Sequence, residues 1–470
     1  MPRKLIAFAA ATVAAVAGTV AAHATSPQVS GEAGTVTPRV TFRQIASVNG
    51  TTAQAVATVR SADGKLHLVF QTHSGNTLAG LAAISISPSG TVGPQVSASG
   101  WQAGQPGLVQ LPNGTLEAIF GAISPGNVSS VWGVTSSDGG ASWSAPANVK
   151  GGGQHEALAY GSDITAALSA GTPVLTLPQA GALVIQRGLG SGSPNYQLTN
   201  PANGSTGDAE VATDASTGEV VAAWDSIAGN PQLYMQGASP SIQAAVAVPG
   251  QSRNVLELAG RDAGAGVFGA YTADGKHVRL LRYGGGSVAV GLLKTTAAKV
   301  LGVATGPDGR IWVMWGDDSG GGLGVTRSNM AVTRFEPLQH LKLNTAVLYR
   351  VSGDGRLGPL DLLVDQVANK KGSIPPPGEF YARVLAVLSA RVSVSAVKNK
   401  KKVVVAHTIT VKVTDAGDPV AGAKVAAKGQ NAKTNAKGVA QLTLGASIRG
   451  KVTVTVTHAT YRKLTKKVAV

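Results

Sequence analysis

The sequence predicts an all-β chain in two parts: a β-propeller of six blades, with a seventh blade left open, and a small β-sandwich at the C-terminal end. Three observations predict it. A short strand motif recurs at intervals of 44 to 57 residues through the body. Strict alternation of apolar and polar residues takes over in the last 80 residues. Helical periodicity is nearly absent after residue 24, so neither part has the amphipathic helices that mixed folds need.

In chain order, the first segment reads as an export signal. Arg3 and Lys4 precede an apolar run over 5–22, and Ala22-His23-Ala24 offers a small-x-small cleavage site. Residues 1–24 are therefore expected to be a signal peptide, and the mature protein to be extracellular, secreted or held at the cell surface. No later stretch reaches the ~20 apolar residues that span a bilayer, so no transmembrane segment is expected in the mature chain. The absence of cysteine excludes a disulfide framework and thiolate metal sites. Stability must come from burial, and a chain of this length buries a large core.

The propeller expectation covers residues 25–378. Its repeat is a turn glycine, an apolar strand, and an aromatic or large apolar residue six positions on. It occurs at Gly64–Phe70, Gly114–Phe120, Gly218–Trp224 and Gly309–Trp315, with weaker copies ending on Leu177 and Tyr271. The end positions are spaced 50, 57, 47, 47 and 44 residues apart, the period of a propeller blade. Asp-Gly or Asn-Gly supplies the turn, and a near-continuous apolar run suits a strand covered on both faces by neighbouring blades. Strand-like material over 332–388 leaves the seventh blade open, and the segment 40–46 is placed to pair with late strands and close the ring.

Charge divides the chain. Residues 391–470 hold 16 Lys and Arg against two acids, Asp415 and Asp418, whereas residues 25–390 carry 22 of each sign. A neutral body with a basic tail implies two jobs, and the tail's partner is expected to be anionic.

One motif is sharp. Ser136-Ser137-Asp138-Gly139-Gly140-Ala141-Ser142-Trp143 fits S-x-D-x-G-x-x-W. Asp138 is placed to accept bonds from its own turn, Gly140 permits positive φ, and Trp143 is placed to wedge into the blade. This stretch resembles the Asp box (BNR repeat) of the sialidase-like propellers. The resemblance implies a structural role for Ser136, Asp138, Gly140 and Trp143, at the rim and away from any catalytic centre.

The same resemblance implies an arginine triad, a Tyr–Glu nucleophile pair and an Asp acid/base in an active enzyme. The residues that come nearest are Arg43 in Phe42-Arg43-Gln44-Ile45, Asp63 ahead of Gly64, Glu210, and Tyr349 or Tyr381 as nucleophile. The family's Glu-Pro becomes Gln105-Pro106, and an amide is no base. No arginine follows the strands ending at Phe120 and Trp224. The set is degraded, so the expectation is a non-catalytic binding protein whose propeller face takes a glycan or a surface protein. The alternative is a diverged exo-α-sialidase-type glycoside hydrolase. No cofactor or metal is expected. The eight histidines form no ligand spacing, and Gly264-x-Gly266-x-x-Gly269 lacks the following helix that would cradle a phosphate.

Residues 379–470 are expected to form the sandwich, beyond the stiff spacer Pro375-Pro376-Pro377. A hairpin turn falls at 398–402, and clean alternation follows over 407–414 and 451–457. With Asp418-Pro419-Val420-Ala421-Gly422-Ala423-Lys424-Val425 and Thr434 to Leu442, the region resembles bacterial Ig-like and carboxypeptidase-regulatory-like domains, which lack a catalytic site. Lys398, Lys400, Lys401, Lys402, Lys463, Lys466 and Lys467 are the candidate contacts to an anionic cell-envelope polymer. Nucleic acid is not expected, because stacking recognition needs aromatics and Tyr461 is the only one in residues 391–470.

Overall fold

The computed structural model describes residues 30–470, apart from 32–34, 48–55, 75–76, 152–163, 180–181, 200–205, 227–232, 238–245, 249–256, 273–274, 285–286, 296–297, 299, 317–321, 344 and 369–377. The expected signal peptide lies outside the described residues. No helix among those described is long and apolar enough to cross a membrane.

Seven sheets of at least four strands follow one another along the chain. Their inner strands are Val56–Arg60, Gly107–Gln110, Thr165–Ser169, Thr206–Thr213, Glu257–Ala259, Val300–Thr305 and Thr345–Asp354. Each packs against the next, and the last packs against the first. This is a closed seven-bladed propeller, with blades 1 to 7 in chain order, so the blade left open by the sequence is present. The seventh repeat is masked in the sequence by its small end residue. Gly358 and Val364 hold the motif's two positions, 49 residues beyond Trp315, on the strand Leu360–Ala368 of blade 7.

The repeat marks the second strand of each blade, and its continuous apolar character has the expected cause. On Leu66–Ser74, the side chains of Leu66, Leu68 and Phe70 pack towards Leu363 and Tyr381 of blade 7. Val69, between them, packs towards Leu108 and Phe120 of blade 2. Both faces are covered, so alternation disappears. Turn glycines precede these strands with positive φ, 82° at Gly64 and 88° at Gly114, a conformation that a Cβ disfavours.

Ring closure follows the expectation for 40–46. Arg43–Ser47 pairs antiparallel with Gly378–Val384 as the outermost strand of blade 7. That pairing corrects the domain boundary. Gly378–Val384 belongs to the propeller, and the sandwich begins with Ser389–Lys398. The proline spacer suggests a boundary at 378/379, but the strand beyond it finds its partners inside blade 7.

The sandwich has one sheet of Ser389–Lys398, Val404–Asp415, Asp418–Pro419 and Val439–Gly445. The other holds Gln430–Lys433, Lys424–Ala427, Lys451–Thr457 and Leu464–Ala469. Inward residues such as Ile409, Val411, Leu442, Val452 and Val454 form one core, as the period of two requires.

Candidate functional site

The seven inner strands enclose a central channel of about 730 Å³. At the end where these strands begin, three charged side chains meet from three blades. Arg350 of blade 7 places Nη2 3.2 Å from Glu257 of blade 5 and 3.6 Å from Glu210 of blade 4. Just behind, Asp365 and Glu379 stand directly opposite each other on neighbouring strands of blade 7. Burial and the Asp365 charge push the Glu379 carboxyl well above the usual range, with Arg350 partly opposing them. Glu379 therefore holds a proton that an exposed glutamate would lose. Among the described residues, one guanidinium stands among these carboxyls.

The other channel mouth is lined with arginines committed to protein partners. Arg60 pairs with Asp354 at 2.5 Å and with Asp361 at 2.6 Å. Arg261 donates to the carbonyls of Gly309, Ala265 and Met330. Arg356 lies 3.6 Å from Asp354. The described residues therefore hold no set of three guanidiniums turned towards one point in the channel.

The sequence candidates scatter. Glu210 reaches the channel. Arg43 is exposed on the outermost strand of blade 7, far from the axis in blade order, so its role as a carboxylate clamp is corrected. Asp63 sits in a surface turn, where Oδ1 accepts from Ser61 Oγ at 2.5 Å and from Lys65 N at 3.2 Å; the turn accounts for it. Tyr381 is a third-strand residue whose hydroxyl donates to Asp361 at 2.7 Å. Burial and the Asp361 charge raise its pKa, so it joins the Arg60 clamp between blades 7 and 1 rather than the channel. Tyr349 lies on the inner strand of blade 7, at the bulge between Leu348 and Arg350, and its side chain falls outside the described residues.

Sequence reasoning missed Glu257 and Arg350, yet the repeat contained them. Glu210 precedes Trp224 by 14 residues, Glu257 precedes Tyr271 by 14, and Arg350 precedes Val364 by 14. Equivalent repeat positions converge on the axis of a propeller, so charges at one offset in different blades meet in space.

The Asp box is a closed turn between Ser129–Ser136 and Ala147–Asn148 of blade 2. Asp138 Oδ1 accepts from Ser136 Oγ at 2.8 Å and from the N–H groups of Ala141 and Ser142, both at 3.0 Å. Ser142 Oγ donates to its Oδ2 at 2.6 Å, and these bonds hold the carboxyl below the usual range. Gly140 has φ 88°, and Trp143 packs against the apolar cluster between blades 1 and 2. Ser136 ends its strand opposite Leu116, which puts the turn on the face away from Glu210, Glu257 and Arg350.

The sandwich docks on that same Asp-box face, against blades 6 and 7. Asp415, fully buried, accepts from Arg327 Nη2 at 2.6 Å and from Tyr461 OH at 3.0 Å, and Arg310 Nε lies 3.0 Å away. Asp418 pairs with Arg310 Nη2 at 2.8 Å. The Arg327 guanidinium lies between the rings of Trp312 and Tyr461, 5.2 and 5.0 Å from their centroids. Both acids of the module are thus spent on propeller arginines.

Its lysines form no single patch. Lys398, Lys400, Lys401 and Lys402 are exposed at the hairpin tip farthest from the joint, Lys463 lies beside the joint, and Lys466 and Lys467 are exposed on the edge strand Leu464–Ala469. Two like-charged pairs stand directly opposite across neighbouring strands, Arg391 with Lys412 and Lys424 with Lys433. All four residues are exposed.

No protein-family model and no curated protein matches the sequence. Solved structures that resemble the chain include β-propeller proteins. An ulvan lyase of polysaccharide lyase family PL25 has 10% identity and a TM-score of 0.49, over 73% of this chain and 96% of that one. A Hadza microbial sialidase has 14% identity and a TM-score of 0.40, over 62% and 66%. A protein of unknown function from Dyadobacter fermentans has 13% identity and a TM-score of 0.44, over 73% and 99%.

Proposed function

We propose that this is a non-catalytic binding protein of the cell exterior, a diverged sialidase-like Asp-box propeller that carries an Ig-like module. The propeller face presents a glycan or protein site, and the module attaches to an anionic envelope polymer. One observation carries the reading. Asp415 and Asp418 are turned into the joint, so the module's remaining surface displays cations and no acid. Pairs such as Lys424 and Lys433 are mutually unfavourable until an anion lies between them.

The channel supports the binding half of the reading. Its carboxylate-rich mouth opposes a sugar carboxylate, and its described arginines already hydrogen-bond or pair within the protein, so an uncharged hydroxyl-rich ligand suits it better. The test of attachment uses the full chain on immobilised poly-γ-glutamate. Affinity is expected to fall by about tenfold or more as salt rises from about 50 to about 300 mM. No binding at low salt, or binding indifferent to salt, would refute the attachment.

The hydrolase alternative draws on the Asp box and on the paired carboxylates of Glu210 and Glu257. Turnover of a fluorogenic sialoside that disappears in both Glu210→Gln and Arg350→Ala would favour it over the binding reading.

A further inference from the structure

The strands Ser389–Lys398 and Val404–Asp415 end in a tip that polymer attachment does not account for. Val397, Val403 and Val405 are 40%, 57% and 47% exposed. Among the described residues, five large apolar side chains are at least 40% exposed, and these three fall within nine positions. They flank Lys398, Lys400, Lys401 and Lys402, and no acid lies between 391 and 414. A soluble polyanion explains the lysines and leaves the valines without a partner.

The tip is built rather than loose. Asn399 Oδ1 accepts from the N–H groups of Lys401 at 2.9 Å and Val403 at 3.0 Å. The Asn399 and Lys402 N–H groups close the turn on the carbonyls of Val403 and Asn399, both at 2.9 Å. Lys402 takes φ 62° to complete it. Cations and apolar side chains are thus presented in a fixed arrangement, with little ordering left to be lost on binding.

Its position fits a foot. Val404–Asp415 runs from the tip to the buried Asp415 at the propeller joint, roughly 35 Å at about 3.3 Å per residue. Arg449 and Lys451 stand at the same end, because Ala406 pairs with Gly445 and Arg449 Nη1 donates to His407 Nε2. The far end of the sandwich therefore gathers six cations around three exposed valines.

Resting on the reading that the module meets an anionic partner, we propose that the 396–405 hairpin tip docks on an anionic lipid bilayer. The lysines meet the headgroups, and Val397, Val403 and Val405 enter the apolar boundary beneath them. A projecting cationic tip suits a soft planar surface whose headgroups part around it, and a lipid surface is the partner that uses both charge and apolar area.

The test sediments the full chain with vesicles of phosphatidylcholine alone and of phosphatidylcholine with phosphatidylglycerol. Binding is expected only to the anionic vesicles. The triple variant Val397→Ser, Val403→Ser, Val405→Ser is expected to weaken it by about tenfold or more and to leave poly-γ-glutamate binding unchanged. Because the chain has no cysteine, Val403→Cys carrying an environment-sensitive dye gives a second reading: a blue shift on anionic vesicles and none on poly-γ-glutamate. Equal vesicle binding by the triple variant, with no dye shift, would overturn the proposal by making the vesicle one more polyanion. Poly-γ-glutamate binding without vesicle binding would overturn it while the attachment reading stands. Failure to bind either would overturn both.

Discussion

Glu117 lies on Leu116–Ile123 in blade 2, 5% exposed. Burial pushes its carboxyl up from the usual 4.5 to about 7. The unfolded chain loses this proton from about pH 4.5, and the folded chain holds it until about pH 7. Its contribution to stability is full below pH 4.5, falls as pH rises through that window, and levels off above it. The loss is on the order of 3 kcal/mol. Glu117→Gln is expected to remove the fall, so that denaturant midpoints at pH 5 and pH 8 draw together. A midpoint difference unchanged from the parent would show that other carboxyls set it. The run G-T-L-E-A-I-F reads as a strand covered on both faces, but it does not show what surrounds the glutamate. Its burial follows from the blade that packs over it.

At the scale of the strand, register decides what a lysine does. The alternation of the C-terminal module was readable, and so was its hairpin turn. The sequence does not show that Lys424 faces Lys433 or that Arg391 faces Lys412, since pairing partners come from the sheet. Like charges directly opposite cost a few tenths of a kcal/mol to about 1 kcal/mol. Lys424→Glu is therefore expected to stabilise the fold by about 0.5 kcal/mol and to weaken poly-γ-glutamate binding. Thermal melting and the immobilised-polymer assay measure the two effects on one variant. A change of the same sign in both would break the link between charge repulsion and binding.

At the scale of the whole molecule, two buried ion clusters hold the architecture. Arg60, Asp354, Asp361 and Tyr381 lock blade 1 to blade 7. Arg310 and Arg327 of blade 6 lock the sandwich through Asp415. Removing one member of such a cluster leaves the other charge buried and unpaired. Asp415→Ala is expected to cost about 3–5 kcal/mol and to free the sandwich from the propeller. Limited proteolysis near 385–388 measures the freed joint, with faster cleavage expected than in the parent. An unchanged cleavage rate would mean that the apolar contacts of Tyr461 hold the joint alone.

The sequence by itself determined the all-β class, the repeat, the basic module and the intact Asp box. Each is local, written in the spacing of glycines, apolar residues and charges. It also held the position that Glu210, Glu257 and Arg350 share, 14 residues ahead of each blade's marker. The tertiary structure decided that those residues meet, because only closure of a seven-fold ring carries one repeat position from three blades to a common axis. The same closure moved Arg43 to the rim and Tyr381 into a clamp. Docking of the sandwich on Arg310 and Arg327 turned the module's two acids inward, leaving the cations to face outward.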